Sequence, residues 1–341
     1  MFPGPTTTLK PVKNQDVTKQ HFVPRTFLKH FGQTEKGQDK IFRIRGDDPN
    51  PANVRQVSVA HACFQNDLYT LEGETSADRM ALENFYRLSV EDHFDTMRQL
   101  LLDETQLAAP VALRSMVLHT VATMLMRTTK TLSRSNSMMD RVLAQMMALC
   151  KQTGQDTFDF DGEIHSIKGK TLEELRREFR QRGQPGQVIT QLELALRLGQ
   201  AKQNDFGIVV VTLDEAAGDY ITSDNPVVIW SLDRHNVAFN PDATLKLALG
   251  PKHMLNLMPT TMDVLKNRIT RWNWSGDQAK LERFSANVVQ HNNAERWLLG
   301  SETGLQLHVK ERVALQHETD HPSAETTGQD LITRMRRLGL L

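Results

Sequence analysis

The stretch FGIVVVTL, residues 206–213, decides the fold class of this chain of 341 residues. Its continuous apolar run, with three consecutive valines, is typical of a strand whose two faces are both buried. Two further short apolar runs follow at residues 220–222 and 227–230, on either side of the sequence SDNP. The sequence therefore predicts that the C-terminal half of the chain supplies the interior of a β-sheet.

Strand patterns also occur towards both ends of the chain. Residues 41–45, IFRIR, alternate apolar and basic side chains, as a half-buried strand does. Similar short runs that indicate strands lie at residues 57–63, 245–249, 253–258 and 305–309. We therefore expect one sheet to be built from distant parts of the chain.

The middle of the chain, from about residue 76 to residue 204, has the periodicity of amphipathic helices. In its first helix, apolar side chains recur at steps of four and three residues, namely Leu82, Tyr86, Val90, Phe94, Met97 and Leu101. Gly183 and Pro185 are expected to end a helix at residues 172–182 and to separate it from another at residues 188–203. The middle of the chain is thus predicted to be a helical bundle.

Strands at both ends with helices between them predict an α+β fold. In this fold a mixed or mostly antiparallel sheet of N- and C-terminal strands packs on the central helical bundle. The length of 341 residues allows one large domain. We expect residues 1–18 to be a flexible N-terminal segment, residues 19–317 to form a single α+β domain, and residues 318–341 to be a linker and a basic C-terminal helix.

Composition restricts the classes of partner. Lys and Arg number 41, and Asp and Glu also number 41, so the net charge does not support a nucleic-acid partner. A net charge of zero is still compatible with a local basic cleft. The N-terminus lacks the continuous apolar run of a signal peptide. The most apolar helix, residues 111–126, contains Arg114 and His119 and is shorter than a bilayer span. We therefore expect a cytoplasmic protein without membrane contact.

The sulfur-containing residues have ordinary explanations. Cys63 and Cys150 show neither the spacing of a metal site nor that of a disulfide framework, so both are interpreted as buried apolar side chains. The Met-rich residues 138–147 are explained either by a core helix or by an interface between copies of the chain. An oligomer therefore stays an open alternative.

The chain contains no signature of the common nucleotide-binding, zinc-protease or α/β-hydrolase sites. The candidates for chemistry are individual polar residues in apolar surroundings. His21 is either a general base or a hydrogen-bond partner of a backbone carbonyl at the start of the fold. Glu83 and Glu91 lie about two helical turns apart, so they either contribute one oxygen ligand each to an ion or form a solvated trio with Arg87.

Two further candidates lie late in the chain. Asp224 and Asn225, in the SDNP sequence, either make an Asx turn or hold a metal ion or a substrate hydroxyl at the end of a buried strand. Asn287 lies beside the apolar face of a helix predicted at residues 277–300, where a buried amide requires hydrogen-bond partners.

Three segments of the chain resemble a known family: QHFVPRTFLKHF at residues 20–31, the pair Arg127 and Thr128, and ITSDNPVV at residues 221–228. They are similar to the opening Q-H-Y-V-P pattern, the R-T pair and the strand turn of the bacterial family called domain of unknown function 4238 (DUF4238). Phe22 replaces the usual tyrosine. The resemblance implies that eight polar residues belong to one pattern, namely His21, Arg25, Glu83, Glu91, Arg127, Asp224, Asn225 and Asn287.

No activity comes with this resemblance, so the functional hypothesis rests on the chemistry of the residues. The leading hypothesis is a hydrolase, in its finer form a metal-dependent nuclease in bacterial conflict or phage defence. Its catalytic residues would be His21, Glu83, Glu91 and Asp224, with Mg²⁺ or Mn²⁺ as the candidate cofactor. Its substrate would be bound by Arg25, Arg127, Asn225 and Asn287. The alternative is a non-catalytic protein that binds a small anion or a partner through the same polar network.

Overall fold

The computed structural model describes residues 16–231, 237–319 and 328–339. Most of the predicted flexible segment, residues 1–15, lies outside this part of the chain, and so do residues 320–327 of the predicted linker. None of the helices in the described ranges is long and apolar enough to span a bilayer.

Strands lie on both sides of the helical middle, which also contains one hairpin, and two helices follow the last strand in the described part of the chain. The strands are β1 (Lys19–His21), β2 (Gln33–Glu35), β3 (Gln38–Arg45), β4 (Arg55–Ser58), β5 (Phe64–Asn66), β6 (Thr157–Phe160), β7 (Glu163–Ser166), β8 (Phe206–Leu213), β9 (Thr222–Ser223), β10 (Val227–Trp230), β11 (Thr244–Gly250), β12 (His253–Pro259), β13 (Ile269–Trp274) and β14 (Trp297–Gly300). The α-helices are α1 (Arg25–Leu28), α2 (Ser76–Arg79), α3 (Ala81–Tyr86), α4 (Asp92–Leu102), α5 (Val111–Met126), α6 (Thr129–Thr153), α7 (Leu172–Lys202), α8 (Asp263–Lys266), α9 (Gly276–Asn293), α10 (Glu302–Thr319) and α11 (Gly328–Arg337).

The apolar run FGIVVVTL forms β8, an interior strand of a five-stranded sheet with the order β10-β11-β12-β8-β13. Its neighbour β12 is antiparallel and its neighbour β13 is parallel. Seven of its eight residues are buried, and Thr212 is the partly exposed one. Burial on both faces explains the continuous apolar sequence, since neither face has to be polar. The predicted α+β class with a mostly antiparallel sheet is confirmed.

A second five-stranded sheet joins the two ends of the chain. Its order is β2-β3-β14-β9, with β4 paired to β3. Leu298 of β14 lies opposite Ile44 of β3 on one side and Ser223 of β9 on the other. The prediction of one sheet is therefore wrong, and the turn at residues 224–226 moves the chain from this sheet into the sheet that contains β8.

Helix α7 is one continuous helix, although two were predicted at residues 172–182 and 188–203. Pro185 lies inside it. Proline removes one helical hydrogen bond, but packing can outweigh that loss. After Pro185 the helix buries one face against the bundle, namely Val188, Gln191, Ala195 and Leu198. The apolar contacts of this face keep the helix in one piece.

Residues 305–309 are helical rather than a strand, and they lie in α10. The alternating sequence LQLHV suggested a strand, but the buried residues follow helical steps of three and four. Leu305, His308 and Val309 are each fully buried. A short apolar run cannot distinguish a strand from a buried helix face, which is why the prediction failed.

The Met-rich part of α6 forms a small core with the β6–β7 hairpin and α7. Leu143 and Met147 are buried there together with Phe158 and Leu175. Met138, by contrast, is 65% exposed. The core interpretation therefore accounts for Met147, while an interface between copies of the chain stays a prediction.

A buried ion pair holds α9 and α10 together. Arg283 and Glu311 are each at most 2% exposed. Nη2 of Arg283 donates to Oε1 of Glu311 at 2.6 Å, Nη1 donates to Oε2, and Nε donates to the carbonyl oxygen of Ala217 at 2.8 Å. The guanidinium therefore has a partner on each of its nitrogens.

We predict that Glu311→Ala destabilises the fold by roughly 3–5 kcal/mol, because it leaves the charge of Arg283 buried without a partner. Urea unfolding followed by circular dichroism measures the change. The double variant Arg283→Met with Glu311→Leu should regain most of the loss. Asp47→Ala, which breaks the exposed pair with Arg45, is the control and should leave the midpoint nearly unchanged. A loss from Glu311→Ala no larger than that of the control contradicts the prediction.

Candidate functional site

Arg127 lies directly after the end of α5 and is 1% exposed. Its Nη2 donates to the carbonyl oxygen of His21 at 2.5 Å, and its Nε donates to that of Phe22 at 3.2 Å. The same Nη2 forms an ion pair with Oε1 of Glu91 at 2.9 Å. The guanidinium carbon lies 4.8 Å from the ring centre of Tyr86, a cation–π contact. One guanidinium thus connects three distant parts of the chain.

Glu91 reaches Arg127 from a helix that is not regular. A π-helical turn, Arg87–Glu91, separates α3 from α4. Wide turns of this kind are frequent at functional sites. Arg87 is exposed and donates to Asp92 at 3.5 Å. Glu91 therefore pairs with Arg127, and the solvated trio of Glu83, Arg87 and Glu91 does not account for its position.

Glu83 lies in α3 and is half-buried. Burial raises the pKa of Glu83 to about 7, and the negative charge of Glu91 raises it further, while the charges of Arg127 and Arg87 act in the opposite direction. A carboxyl group with this pKa is present in both its acid and its base form at neutral pH. It can therefore accept or release a proton without a large cost.

His21 is neutral at neutral pH. Burial lowers its pKa to about 4, although its hydrogen bond to the carbonyl oxygen of Ala60 favours the charged form. The distance from Nε2 to that oxygen is 3.3 Å. When Nε2 carries the proton it donates to Ala60, and Nδ1 keeps a free lone pair. His21 thus binds a backbone carbonyl, as one alternative predicts, and its role as a general base stays a prediction.

Two tyrosines complete this cluster, and the sequence analysis missed their role. The hydroxyl of Tyr69 donates to the carbonyl oxygen of Arg127 at 2.6 Å. The ring of Tyr86 packs edge-on against Tyr69, with 4.9 Å between ring centres. The buried Tyr86 hydroxyl and Nη1 of Arg127 have no hydrogen-bond partner within the described ranges. Tyr86 stands at an apolar position of its helix, and its spacing of three residues from Glu83 was the available signal.

The carboxylate of Asp224 is occupied by backbone groups. It accepts the N–H of Glu295 at 2.9 Å, of Arg296 at 2.8 Å and of Trp297 at 2.9 Å. Burial nevertheless raises the pKa of Asp224, because it outweighs these three hydrogen bonds. The side chain is 2% exposed. Asp224 thus fixes the chain segment before β14 to the turn between β9 and β10.

Asn225 and Asn287 have structural partners of the same kind. Nδ2 of Asn225 donates to Oδ1 of Asn293 at 2.9 Å. Oδ1 of Asn287 accepts the N–H of Ile221 at 2.9 Å, and its Nδ2 donates to the carbonyl oxygen of Asp219 at 2.9 Å. The predicted site residues therefore form two groups, one around Arg127 and one around Asp224, and Asn225 and Asn287 belong to the second.

Arg25 is exposed at the start of α1, close enough to His21 for its charge to lower the histidine pKa. The predicted metal ligands are not arranged as a metal site. In the described part of the chain, no three His, Cys, Asp or Glu side chains are grouped closely enough to hold an ion. Glu91 is paired with Arg127, and Asp224 is bound by three amides, so this donor set does not fit Mg²⁺ or Mn²⁺.

A comparison with protein-family models matches residues 19–303 to the family described as protein of unknown function (DUF4238). The chain belongs to the DUF4238 family. The match spans both groups of polar residues, from His21 to Asn287. No curated protein and no solved structure matches the chain. The DUF4238 assignment thus confirms the resemblance in the sequence, and the chemistry of this chain has to be inferred from its geometry.

We predict that Glu83→Gln removes a pH dependence of stability. Between about pH 4.5 and pH 7 the folded protein retains the Glu83 proton that the unfolded chain has released, so the free energy of unfolding falls as the pH rises. At pH 8 the variant should be more stable than the wild type by roughly 3 kcal/mol, and below pH 4.5 the two should be equal.

Urea unfolding at a series of pH values measures this difference. Glu104→Gln, at an exposed glutamate after α4, is the matched control and should follow the wild-type curve. A constant difference between Glu83→Gln and wild type at every pH would show that Glu83 ionises normally in the folded protein.

Proposed function

We propose that this DUF4238 protein is a hydrolase that uses Glu83 as its general base. One observation carries the proposal. Glu83, with a pKa of about 7, is close enough to Arg127 and Tyr86 for charge effects between them to shift pKa values, and Nη1 of Arg127 and the Tyr86 hydroxyl are buried donors with no partner in the described part of the chain. A base that titrates near neutral pH next to unused donors is the combination that acyl and phosphoryl hydrolysis require.

The carboxylate of Glu83 takes a proton from a water molecule, whose oxygen forms a bond to the electrophilic carbon or phosphorus of an ester. Negative charge grows on an oxygen of the ester and is stabilised by the donors of Arg127 and Tyr86. The bond to the leaving oxygen then breaks, and Glu83 returns the proton to that oxygen.

The remaining residues of the cluster have supporting roles in this proposal. Glu91 fixes the orientation of the Arg127 guanidinium through their ion pair at 2.9 Å. The backbone of His21 does the same through its carbonyl oxygen. Burial holds the pKa of Tyr86 at about 12, with Arg127 lowering it and Glu83 raising it, so its hydroxyl stays protonated and can donate. Nδ1 of His21 is a second candidate acceptor for protons.

The nuclease form of the hypothesis is a proposal about the substrate. Arginine side chains bind phosphate well, which favours Arg127 as a phosphate ligand, and Arg25 supplies a second positive charge near His21. The negative charges of two carboxylates in the same cluster would repel a phosphodiester. The net charge of the chain is zero, so it adds no attraction for nucleic acid. RNA and DNA are therefore tested beside uncharged esters, each with Mg²⁺ or Mn²⁺ and with a chelator.

We predict that Glu83→Gln lowers kcat/KM by at least about 10²-fold on whichever ester the wild-type protein cleaves. Wild-type activity should rise with pH through about pH 7 and level off above it, because Glu83 acts in its ionised form. Steady-state kinetics from pH 5 to pH 9, with a fluorogenic ester and labelled RNA and DNA, provide the measurement.

Glu104→Gln is again the control and should keep wild-type kinetics. Because a phage-defence enzyme can be toxic to its host, growth after induction is a second readout, and Glu83→Gln should remove any toxicity. If the wild-type protein cleaves no ester or nucleic acid, or if Glu83→Gln cleaves at the wild-type rate, the proposed hydrolase is wrong.

The non-catalytic alternative is favoured by the same unused donors, because Arg127 Nη1 and Tyr86 would equally bind a small anion. For a protein that only binds anions, we predict that phosphate raises the melting temperature at constant ionic strength while no ester is cleaved. The variant Tyr86→Phe should reduce that stabilisation by phosphate. Thermal unfolding in phosphate and in chloride distinguishes this outcome from hydrolysis.

A further inference from the structure

A large open cleft of about 1070 Å³ lies between α6, α7 and the β6–β7 hairpin. Its walls contain none of the residues of the proposed hydrolase cluster. The volume is at the upper end of the range in which proteins enclose small molecules. The cleft therefore has room for a ligand of its own.

The space exists because α7 lacks side chains where it faces α6. Gly183 and Gly186 lie one turn apart on either side of Pro185, and both line the cleft. A Cβ atom added at Gly186 would meet nothing within 4 Å, and one added at Gly183 would meet the Gln187 side chain at 3.7 Å. The opening is thus not filled by neighbouring packing.

The sides of the cleft formed by α6 and α7 contain amide groups with atoms that have no partner in the described part of the chain. Gln191 is 4% exposed, and its Nε2 has no hydrogen-bond partner among residues 16–231, 237–319 and 328–339. The same holds for Oε1 of Gln187 and Oδ1 of Asn136, which line the same cleft. Buried polar atoms are nearly always paired in folded proteins. A donor and two acceptors left unpaired around one cavity therefore indicate a ligand with both acceptors and donors.

The wall formed by the hairpin and the start of α7 is aromatic. The rings of Phe179 and His165 have centres 4.6 Å apart, and Phe160 meets Phe179 edge-on at 5.7 Å. All three side chains line the cleft. Aromatic walls of this kind accept planar rings by stacking or edge contacts. The ligand that fits both walls is planar, with polar edges.

The positive charges of the cleft are already in use. Arg180 donates to Asp140 at 2.5 Å, and Arg182 pairs with Glu178 at 3.2 Å. Glu163 and Asp161 add negative charge at the hairpin. A phosphate group would therefore find no unpaired cation among the residues that line the cleft, whereas an uncharged ligand does not require one.

We propose that this cleft binds a purine nucleobase or nucleoside. The planar ring lies against the aromatic wall, and the edge of the base exchanges hydrogen bonds with Gln191, Gln187 and Asn136. The cleft uses different residues from the hydrolase cluster, so this proposal does not depend on Glu83 or Arg127.

Isothermal titration of the full chain with adenosine and with guanosine tests the proposal. We expect saturable binding of at least one of them, with one nucleoside per chain. Gly186→Leu, which fills the cleft from an open position, and Gln191→Leu, which removes the unpaired amide, should each weaken binding by about tenfold or more. Ile189→Gln, on an exposed position of α7 outside the cleft, should bind as the wild type does.

Ribose 5-phosphate is the second probe, since it has the sugar and the phosphate but no base, and we expect it not to bind. The proposal is overturned if neither nucleoside binds at millimolar concentration, if ribose 5-phosphate binds as tightly as the nucleosides, or if both Gly186→Leu and Gln191→Leu leave the affinity unchanged. Circular dichroism of each variant confirms folding. Because Gln191→Leu removes an unpaired buried amide, its melting temperature should not fall.

Discussion

The burial of the Arg127 guanidinium is the constraint on which the arrangement of the chain depends. A charge that leaves water is costly unless it is paired and hydrogen-bonded, and Arg127 is 1% exposed. Its partners are the carbonyl oxygens of His21 and Phe22 and the carboxylate of Glu91. These groups come from the beginning of the fold and from the interrupted helix. Neither segment can leave its place without removing a partner from the buried guanidinium.

A buried charge of opposite sign fixes the other half of the molecule. Asp224 binds three consecutive amides at the start of β14, at the point where the chain crosses from one sheet to the other. The start of α6 connects this region to Arg127. Thr129 donates to the Glu295 side chain at 2.5 Å, and Lys130 donates to the carbonyl oxygen of Asn293 at 2.5 Å. The start of α6 therefore links the group of polar residues around Arg127 to the group around Asp224.

Much of the fold was predictable where a residue pattern has one physical explanation. The valine-rich run FGIVVVTL favoured a strand buried on both faces and IFRIR favoured a half-buried one, and both form strands. The prediction failed where packing decides between alternatives, as at Pro185, or where a short apolar run suits both a strand and a helix, as at residues 305–309. Long-range packing is not encoded in local periodicity.

The candidate site was predictable to a smaller extent. His21, Glu83 and Glu91 could be singled out because polar residues beside apolar faces require partners, whereas Arg127 was implied by the resemblance to DUF4238. The role of Tyr86 could not, since a tyrosine at an apolar helix position looks like any core residue. The partners of Asp224 are backbone amides, which have no signature in the sequence. Which of the eight residues meet, and which are occupied elsewhere, follows from tertiary structure alone.

The π-helical turn at Arg87–Glu91 has a consequence for how this protein can vary. A regular α-helix rotates about 100° per residue, so the direction of one side chain fixes that of all others. Here the wide turn adjusts the phase, so that Phe94 and Met97 stay in the core while Glu91 faces Arg127. The relative orientation of Glu83 and Glu91 is thus set by the number of residues between them. Deletion of a single residue in this turn would rotate one carboxylate about the helix axis relative to the other. A substitution at either glutamate cannot produce that rotation.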